Sequence, residues 1–566
     1  MIPAPHKITS KKPAKDSLRE LVETIVFVVV LVLILKLFVV EAFVIPTGSM
    51  AETLLGYHKR VECEQCGYEF PVNSSGEVEG RRGGEKSPVV GYHCPNCNFP
   101  GKLKLIEHEE NRGKYYTTEL ASRDGDRVLV HKAMSIDHRG SVVVFKFPSD
   151  PQLDHVAQNY IKRLVAFGGE TIAIFHGKLF VHKSLAYPDE IAPENPKDLW
   201  DRPNTYNSKP NAIAAFEASK LLSFPENAGG FELIRKPDDQ VLAMRRIVYH
   251  NDFQAKDLQK NPPRWKTSGE GWGATEAGQK VYTHSGEGRG FLKYEHLLVP
   301  NLPVKNPDDR FPPIKLSERR RDFAKLPEPS LIRNFMGYNS GVSGSFTDPL
   351  VGAENADNNT NWVGDLHVEC QAKIGGPDDA VILDLGKALH RYQAHFTGGA
   401  VKLIRTGPGG KELASRPTPM TKAGKHALRF ANVDCRLRVW VDDVAIDFGN
   451  EADYAFEAPT VFENDDVHQE GWTKINDKNE PAAIEVRGGV TISSIVLWRD
   501  THYTNADAAR PPRLETIYVQ PGHFLCFGDN SAQSHDGRGW GLVPERLMLG
   551  RAVFTFWPFK RIGFIR

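Results

Sequence analysis

The chain has 566 residues, and Lys+Arg and Asp+Glu both number 71, so the net charge is zero. That length exceeds what one hydrophobic core organises and predicts several domains, while the missing basic excess argues against a nucleic-acid partner. Seven cysteines are too few and too unevenly placed for a disulfide-stapled scaffold.

The N-terminal tail, 1–20, carries Lys7, Lys11, Lys12, Lys15 and Arg19 against Asp16. An apolar run follows from Ile25 to Leu35 and resumes after Lys36. A spanning helix needs roughly 20 apolar residues. Leu21 to Val40 reaches that length if Glu23 and Lys36 extend to the interface, so 21–41 is predicted to be a transmembrane anchor. The positive flank places the N-terminus in the cytoplasm and the rest beyond the membrane. Two rivals are a cleavable signal peptide, for which Glu41-Ala-Phe-Val-Ile-Pro46 offers no small-residue site, and a buried valine-rich core segment.

Next comes Ile45-Pro-Thr-Gly-Ser-Met-Ala-Glu-Thr-Leu-Leu-Gly56, in which Pro46 and Gly48 preclude regular helix. A serine on such a turn can offer both its hydroxyl and its own N–H to a carbonyl, although most Thr-Gly-Ser turns are merely turns. Segment 58–122 holds Cys63-Glu-Gln-Cys66 and Cys94-Pro-Asn-Cys97, about 27 residues apart, which resembles a zinc ribbon. Four thiolates give a closed structural zinc site, and His93 is a bystander. Two disulfides are the rival, but Cys-x-x-Cys spacing is tight for one.

Strands are predicted over Gly125–Lys132, Arg139–Pro148 and Asn159–Phe167, with a turn at His138-Arg-Gly140. Alternation puts Tyr160, Lys162 and Leu164 on one face. Desolvation between apolar neighbours makes a lysine a usable base, whereas the bland reading is an exposed edge lysine. The first half of 186–514 reads as extended loops with one helix near Ala212–Leu222. The second half alternates over Leu366–Lys373, Ala380–Leu385, Arg436–Asp442, Ala483–Val486 and Ile492–Trp498, predicting a jelly-roll-like β-sandwich at about 340–505. Cys370, Cys435 and Cys526 read as small core residues. The loop Phe527–Gly541 is dense in Gly, Asn, Ser and Asp, and Asp536 can pair with Arg538. Near the C-terminus Phe554, Phe556 and Phe559 are expected to close a core. Alternatively, Trp557 with Lys560 and Arg561 rests at a bilayer interface.

In order, the anchor, Pro46-Thr-Gly-Ser-Met50, Gly125-Asp-Arg-Val-Leu-Val130, Arg139-Gly-Ser-Val-Val-Val-Phe145, Tyr160-Ile-Lys-Arg163 and the Gly528-Asp-Asn box resemble bacterial type I signal peptidase. The likeness covers about 150 residues in three blocks. It implies a mainly β fold: an N-terminal transmembrane helix and a discontinuous signal-peptidase core of 42–57, 123–185 and 515–566, into which the ribbon and the sandwich are inserted. It implies Ser49 as nucleophile and Lys162 as general base, with Thr47 and the Ser49 N–H binding the oxyanion. By the same resemblance Ser534 orients the lysine, and Asp536 and Arg538 support it. Ile45, Pro46, Met50, Leu54 and Tyr160 fall where the family builds its pocket for Ala-x-Ala signal peptides.

The resemblance further implies a single-pass protein of the inner membrane acting on its outer face. It has no catalytic cofactor, and preproteins, the bilayer and the secretion translocon are its partners. The departures are Glu52 in place of proline, Ala166-Phe-Gly-Gly-Glu170 after the lysine, and Asn530-Ser-Ala-Gln-Ser534; none removes a catalytic atom. The rival from another class is a membrane-tethered glycan- or protein-binding protein on a degenerate scaffold. A self-cleaving regulator is disfavoured by the anchor and the lack of a DNA-binding segment.

Overall fold

The computed structural model describes residues 17–79, 86–110, 113–147, 158–185, 230–259, 261–273, 278–298, 301–303, 317–319, 328–344, 354–355, 361–456, 474–504 and 515–566. The chain is mainly β, with short helical turns between strands.

Three stretches far apart in sequence build one antiparallel sheet. Its order is Val40–Val44, Arg127–His131, Met548–Trp557, Val142–Lys146, Asn159–Phe167, His523–Phe527 and Val543–Pro544, with Gly563–Phe564 against Met548–Trp557. The valine-rich strands suit this role because β-branched side chains pack well on a pleated surface. Val128, Val130, Val142 and Val144 bury one face together with Ile45, Met50 and Leu54. Asn159–Phe167 matches the predicted strand end to end and lies inside the sheet, so Lys162 is not an edge lysine. A four-stranded sheet of Glu232–Leu233, Lys178–His182, Thr171–Phe175 and Glu515–Tyr518 continues the core.

The sandwich consists of two seven-stranded sheets. Between them lie Trp265, Tyr282, Tyr294, Phe396, Phe430 and Leu497, all buried. The strands expected from alternation are present, over Leu366–Ile374, Ala380–Lys387, Arg436–Val441, Ala482–Arg487 and Thr491–Arg499. Its extent differs from the predicted 340–505. Arg246–His250, Trp265–Gly269, Val281–Thr283 and Arg289–Tyr294 also belong to it, where loops were expected. Three of them pair with strands far along the chain, as in Arg246 opposite Arg499, and Trp265–Gly269 pairs with Arg289–Tyr294 across a long connection, so no tight hairpin announces them. The helix expected near Ala212–Leu222 falls outside the described residues. Cys370, Cys435 and Cys526 are buried.

No helix among the described residues is long and apolar enough to cross a membrane. The predicted span at Leu21–Val40 is divided: an α-helix Ser17–Ile34 contains Arg19, Glu20 and Glu23, a π turn covers Leu35–Val39, and Val40 begins a strand. The helix nevertheless exposes Leu21, Ile25, Val29 and Leu33 with their neighbours. At the other end Phe559 and Phe564 are about three-quarters exposed, at 75% and 79%, so Phe559 does not close a core.

Candidate active site

Ser49 sits in a single 3-10 turn, Gly48–Met50, entered from an extended Thr47. The turn is pinned on both sides. Its outgoing chain closes with the Ala51 N–H donating to the Gly48 carbonyl and the Leu54 N–H to the Met50 carbonyl. From the opposite loop the Asn530 N–H donates to the Ser49 carbonyl at 3.0 Å, and Asn530 Nδ2 to the Gly48 carbonyl at 3.0 Å. Gly48 is required here: a Cβ would come within 2.3 Å of the Tyr338 ring. Thr47 is exposed and Ser49 half-buried, so the hydroxyl stands at the mouth of the site.

Lys162 reaches the serine from the adjacent strand. Its Nζ donates to Ser49 Oγ at 2.6 Å and to its neighbour's carbonyl, Ile161 O, at 3.1 Å. The side chain is 2% exposed, stands opposite Val143, and has Tyr160's ring centroid 5.4 Å from Nζ. Burial pulls its pKa down to about 8, against the weaker opposing pull of Asp536. About a tenth of the amine is therefore neutral at pH 7, far more than for an ordinary solvated lysine.

The Gly528–Arg538 loop is organised by one buried ion pair. Arg538 Nη2 lies 2.7 Å from Asp536 Oδ2, and Nε donates to Oδ1 at 2.9 Å. The Gly528 N–H also donates to Asp536 at 2.9 Å. Burial alone would raise the Asp536 carboxyl, but the guanidinium and these hydrogen bonds hold it below the usual range. Ser534 Oγ is buried against Gly528, on the side where Gly528 faces the Ser49 carbonyl, and makes no hydrogen bond. The expected pocket also divides. Ile45, Met50 and Leu54 are buried in the sheet core at 2%, 0% and 1% exposure, behind the serine, whereas Pro46 and Tyr160 are half-buried.

Sequence reasoning missed a second buried pair directly beside the base. Arg163 forks onto Asp529, Nε to Oδ1 at 2.7 Å and Nη2 to Oδ2 at 2.6 Å, and also donates to the Gly140 carbonyl. The adjacency of Arg163 to Lys162 and of Asp529 to Gly528 was the available signal. Asp126 receives the Leu55 N–H at 2.8 Å and Arg561 Nε at 3.0 Å, tying the chain after Ser49 to the C-terminus. Arg246 Nη2 donates to the Ala51 carbonyl at 2.9 Å, and nothing in its local sequence foretold that.

The four cysteines at 63, 66, 94 and 97 come together in a separate module of two hairpins, His58–Glu62 with Glu69–Asn73 and Val89–His93 with Pro100–Lys102. All are buried and none is disulfide-bonded. Their sulfurs lie within 4.8 Å of one another, with Cys63 to Cys97 at 3.7 Å and Cys66 to Cys94 at 3.6 Å.

Comparison with known proteins gives three findings. A family model described as signal peptidase, peptidase S26, matches residues 114–227 and 442–557. Those segments include Lys162, Ser534 and Asp536 but not Ser49. Similar proteins include "Probable signal peptidase I-2" of Synechocystis sp., 41% identical over 59 residues covering 10% of this chain and 27% of that protein. Another is "Signal peptidase I" of Leptolyngbya laminosa, 50% identical over 45 residues covering 8% and 22%. The chain thus spans about a quarter of these relatives' length. Among solved structures, the carbohydrate-binding module CBM66 from Bacillus subtilis is 15% identical, with 24% of this chain and 74% of that one covered and a TM-score of 0.17.

Proposed function

This chain belongs to the type I signal peptidase family, and from that premise we propose that it is a membrane-associated serine endopeptidase that removes signal peptides from preproteins through Ser49 and Lys162. The observation that carries the reading is the 2.6 Å approach of Lys162 Nζ to Ser49 Oγ, made by a buried lysine whose pKa is lowered to about 8. In its neutral form the amine accepts the Ser49 proton as Oγ attacks the scissile carbonyl carbon. Negative charge then develops on the carbonyl oxygen. The Ser49 N–H and the hydroxyl of exposed Thr47 are the donors proposed for it. Collapse expels the amine of the mature protein, which takes the proton from Lys162 and leaves an acyl-Ser49 ester. Lys162 next takes a proton from a water attacking that ester and returns it to Ser49 Oγ as the acyl C–O bond breaks, and the signal peptide leaves as a carboxylic acid that loses its proton to solvent.

The binding-protein reading gives no reason to keep a lysine desolvated against a serine hydroxyl, because such a group weakens a scaffold that does no chemistry. Membrane association is supported by the apolar side chains exposed along the helix Ser17–Ile34 and by exposed Phe559, Ile562 and Phe564 beside Lys560. Substrates of the Ala-x-Ala type and a translocon neighbour follow from the family alone.

For the cysteine module we propose a structural zinc. A tetrahedron with Zn–S of about 2.3 Å has sulfur edges of about 3.8 Å. The observed 3.6 and 3.7 Å separations suit that, whereas a disulfide brings sulfurs to about 2 Å. Cys63, Cys66, Cys94 and Cys97 would supply all four ligands, so the ion would hold two hairpins together and leave no position for substrate.

Incubating the detergent-solubilised full chain with a preprotein tests the enzymatic reading. Ser49→Ala and Lys162→Ala are expected to leave the preprotein uncleaved; wild-type cleavage by both variants overturns it. Elemental analysis tests the metal separately: about one zinc per chain is expected, lost in Cys63→Ser, and unchanged zinc in that variant refutes the site.

A further inference from the structure

One loop of the large insertion lies against the turn that carries Ser49. The 3-10 turn Gly337–Asn339 is wholly buried, as is Ser340. On one side it is anchored to the cysteine module. Ser340 Oγ donates to the His93 carbonyl at 2.9 Å and accepts the His93 N–H at 3.0 Å, Gly337 abuts Pro95, and strand Val342–Ser343 pairs with Val89–His93. On the other side Tyr338 packs against Gly48, Ala51 and Leu55.

Asn339 makes the decisive contact. Its Nδ2 donates to Asn530 Oδ1 and its Oδ1 accepts from Asn530 Nδ2, both at 2.7 Å. Asn530 is the residue whose N–H holds the Ser49 carbonyl and whose side chain holds the Gly48 carbonyl. The reciprocal amide pair fixes which way Asn530 points: with its oxygen occupied by Asn339, its Nδ2 must serve both Asn339 and Gly48. Asn339 and Asn530 are 2% and 1% exposed, so no bulk water replaces a lost partner.

We infer that Asn339, contributed by the insertion, is a positioning residue for the Ser49 turn and acts through Asn530, with Tyr338 backing Gly48. The inference rests on Ser49 being the nucleophile. The insertion is then part of the catalytic apparatus rather than a passenger, since it sets the distance and angle between Ser49 and Lys162. It acts on the reacting serine and not on substrate, so its loss falls on turnover and spares binding.

The test uses the solubilised full chain and a preprotein with an Ala-x-Ala site. Asn339→Ala is expected to lower kcat about tenfold with KM changed less than about twofold. A double-mutant cycle supplies a readout that general destabilisation would not produce: Asn339→Ala with Asn530→Ala should be no slower than Asn530→Ala alone. Asn339→Asp, which keeps the size and one acceptor but loses the donor, should show the same kcat loss and covers the case in which the alanine variant folds poorly. A wild-type kcat in either Asn339 variant, or losses that multiply in the double variant, overturns the inference. If Ser49→Ala is inactive while Asn339→Ala matches wild type, the positioning role alone fails. If Ser49→Ala is itself active, the proposed function fails.

Discussion

Lys162 at the site and the pair Lys236 and Lys387 where the sandwich meets the core are all withdrawn from solvent, and their surroundings drive them in opposite directions. At the site, Lys162 has a serine hydroxyl and a backbone carbonyl as partners and no carboxylate in contact, because Asp536 is taken by Arg538 and Asp529 by Arg163. Where the sandwich meets the core, Lys236 lies 2.7 Å from Asp434 and 2.8 Å from Asp500, and Lys387 lies 2.6 Å from Asp365, which also pairs with Lys178. Burial pulls all three titrating lysines down. For Lys236 and Lys387 the carboxylates outweigh it and push the pKa up; for Lys162 burial wins. Burial alone therefore does not make a lysine a base. What matters is that neighbouring arginines have already occupied the carboxylates.

Substitutions that swap the two situations test that contrast. The largest effect is expected from Lys162→Met, which removes the amine and keeps the bulk. Cleavage should fall by about 10⁴-fold or more, read as kcat/KM. The same variant should unfold at higher denaturant, by about 1 kcal/mol, because it deletes a buried cation that lacks a contacting anion. Asp365→Asn does the reverse at the interface. It leaves Lys178 and Lys387 buried without their carboxylate and is expected to cost about 3 kcal/mol in equilibrium unfolding. If Asp365→Asn were neutral and Lys162→Met strongly destabilising, the contrast would be broken.

The smallest effect is expected at the hairpin turn that follows Lys387. Ala388 turns the hairpin between Ala380–Lys387 and His390–Thr397 with a φ of +50°. Ala388→Gly should stabilise by about 0.5 kcal/mol, since glycine enters this region without the Cβ clash although it loses more chain entropy. Its cleavage rate should equal that of wild type.

The legibility of this chain follows the range of its interactions. Asn159–Phe167 and the sandwich strands from Leu366 onward were readable because period-two alternation is local. The early sandwich strands were hidden, since Arg246–His250, Val281–Thr283 and Arg289–Tyr294 pair with strands far along the chain and the intervening sequence is rich in Pro, Asn and Lys. The Asp536–Arg538 pair was readable from its spacing of two. Asn339 was not: its partner Asn530 is 191 residues away, and an Asn in a Gly-Tyr-Asn-Ser turn reads as a turn residue. Ser534 was placed by resemblance, and its hydroxyl lies against Gly528 without a hydrogen-bond partner, a side-chain orientation that sequence does not encode locally. The membrane span was overestimated because a run of apolar residues does not reveal where helix passes into π turn and strand.

The pH dependence of cleavage bears most directly on the central claim that Lys162 is the base. The groups that set its titration are Asp536, Cys526, Asp529 and Arg538, of which the carboxylates and Arg538 stay charged through the neutral range and buried Cys526 stays protonated. Lys162 works as the neutral amine, whose fraction grows as pH rises through about 8. For the solubilised full chain acting on an Ala-x-Ala preprotein, kcat/KM should rise with pH through an apparent pKa near 8 and level off above it. A profile that is flat from pH 6 to about 9, or that falls as the lysine loses its proton, would contradict the account.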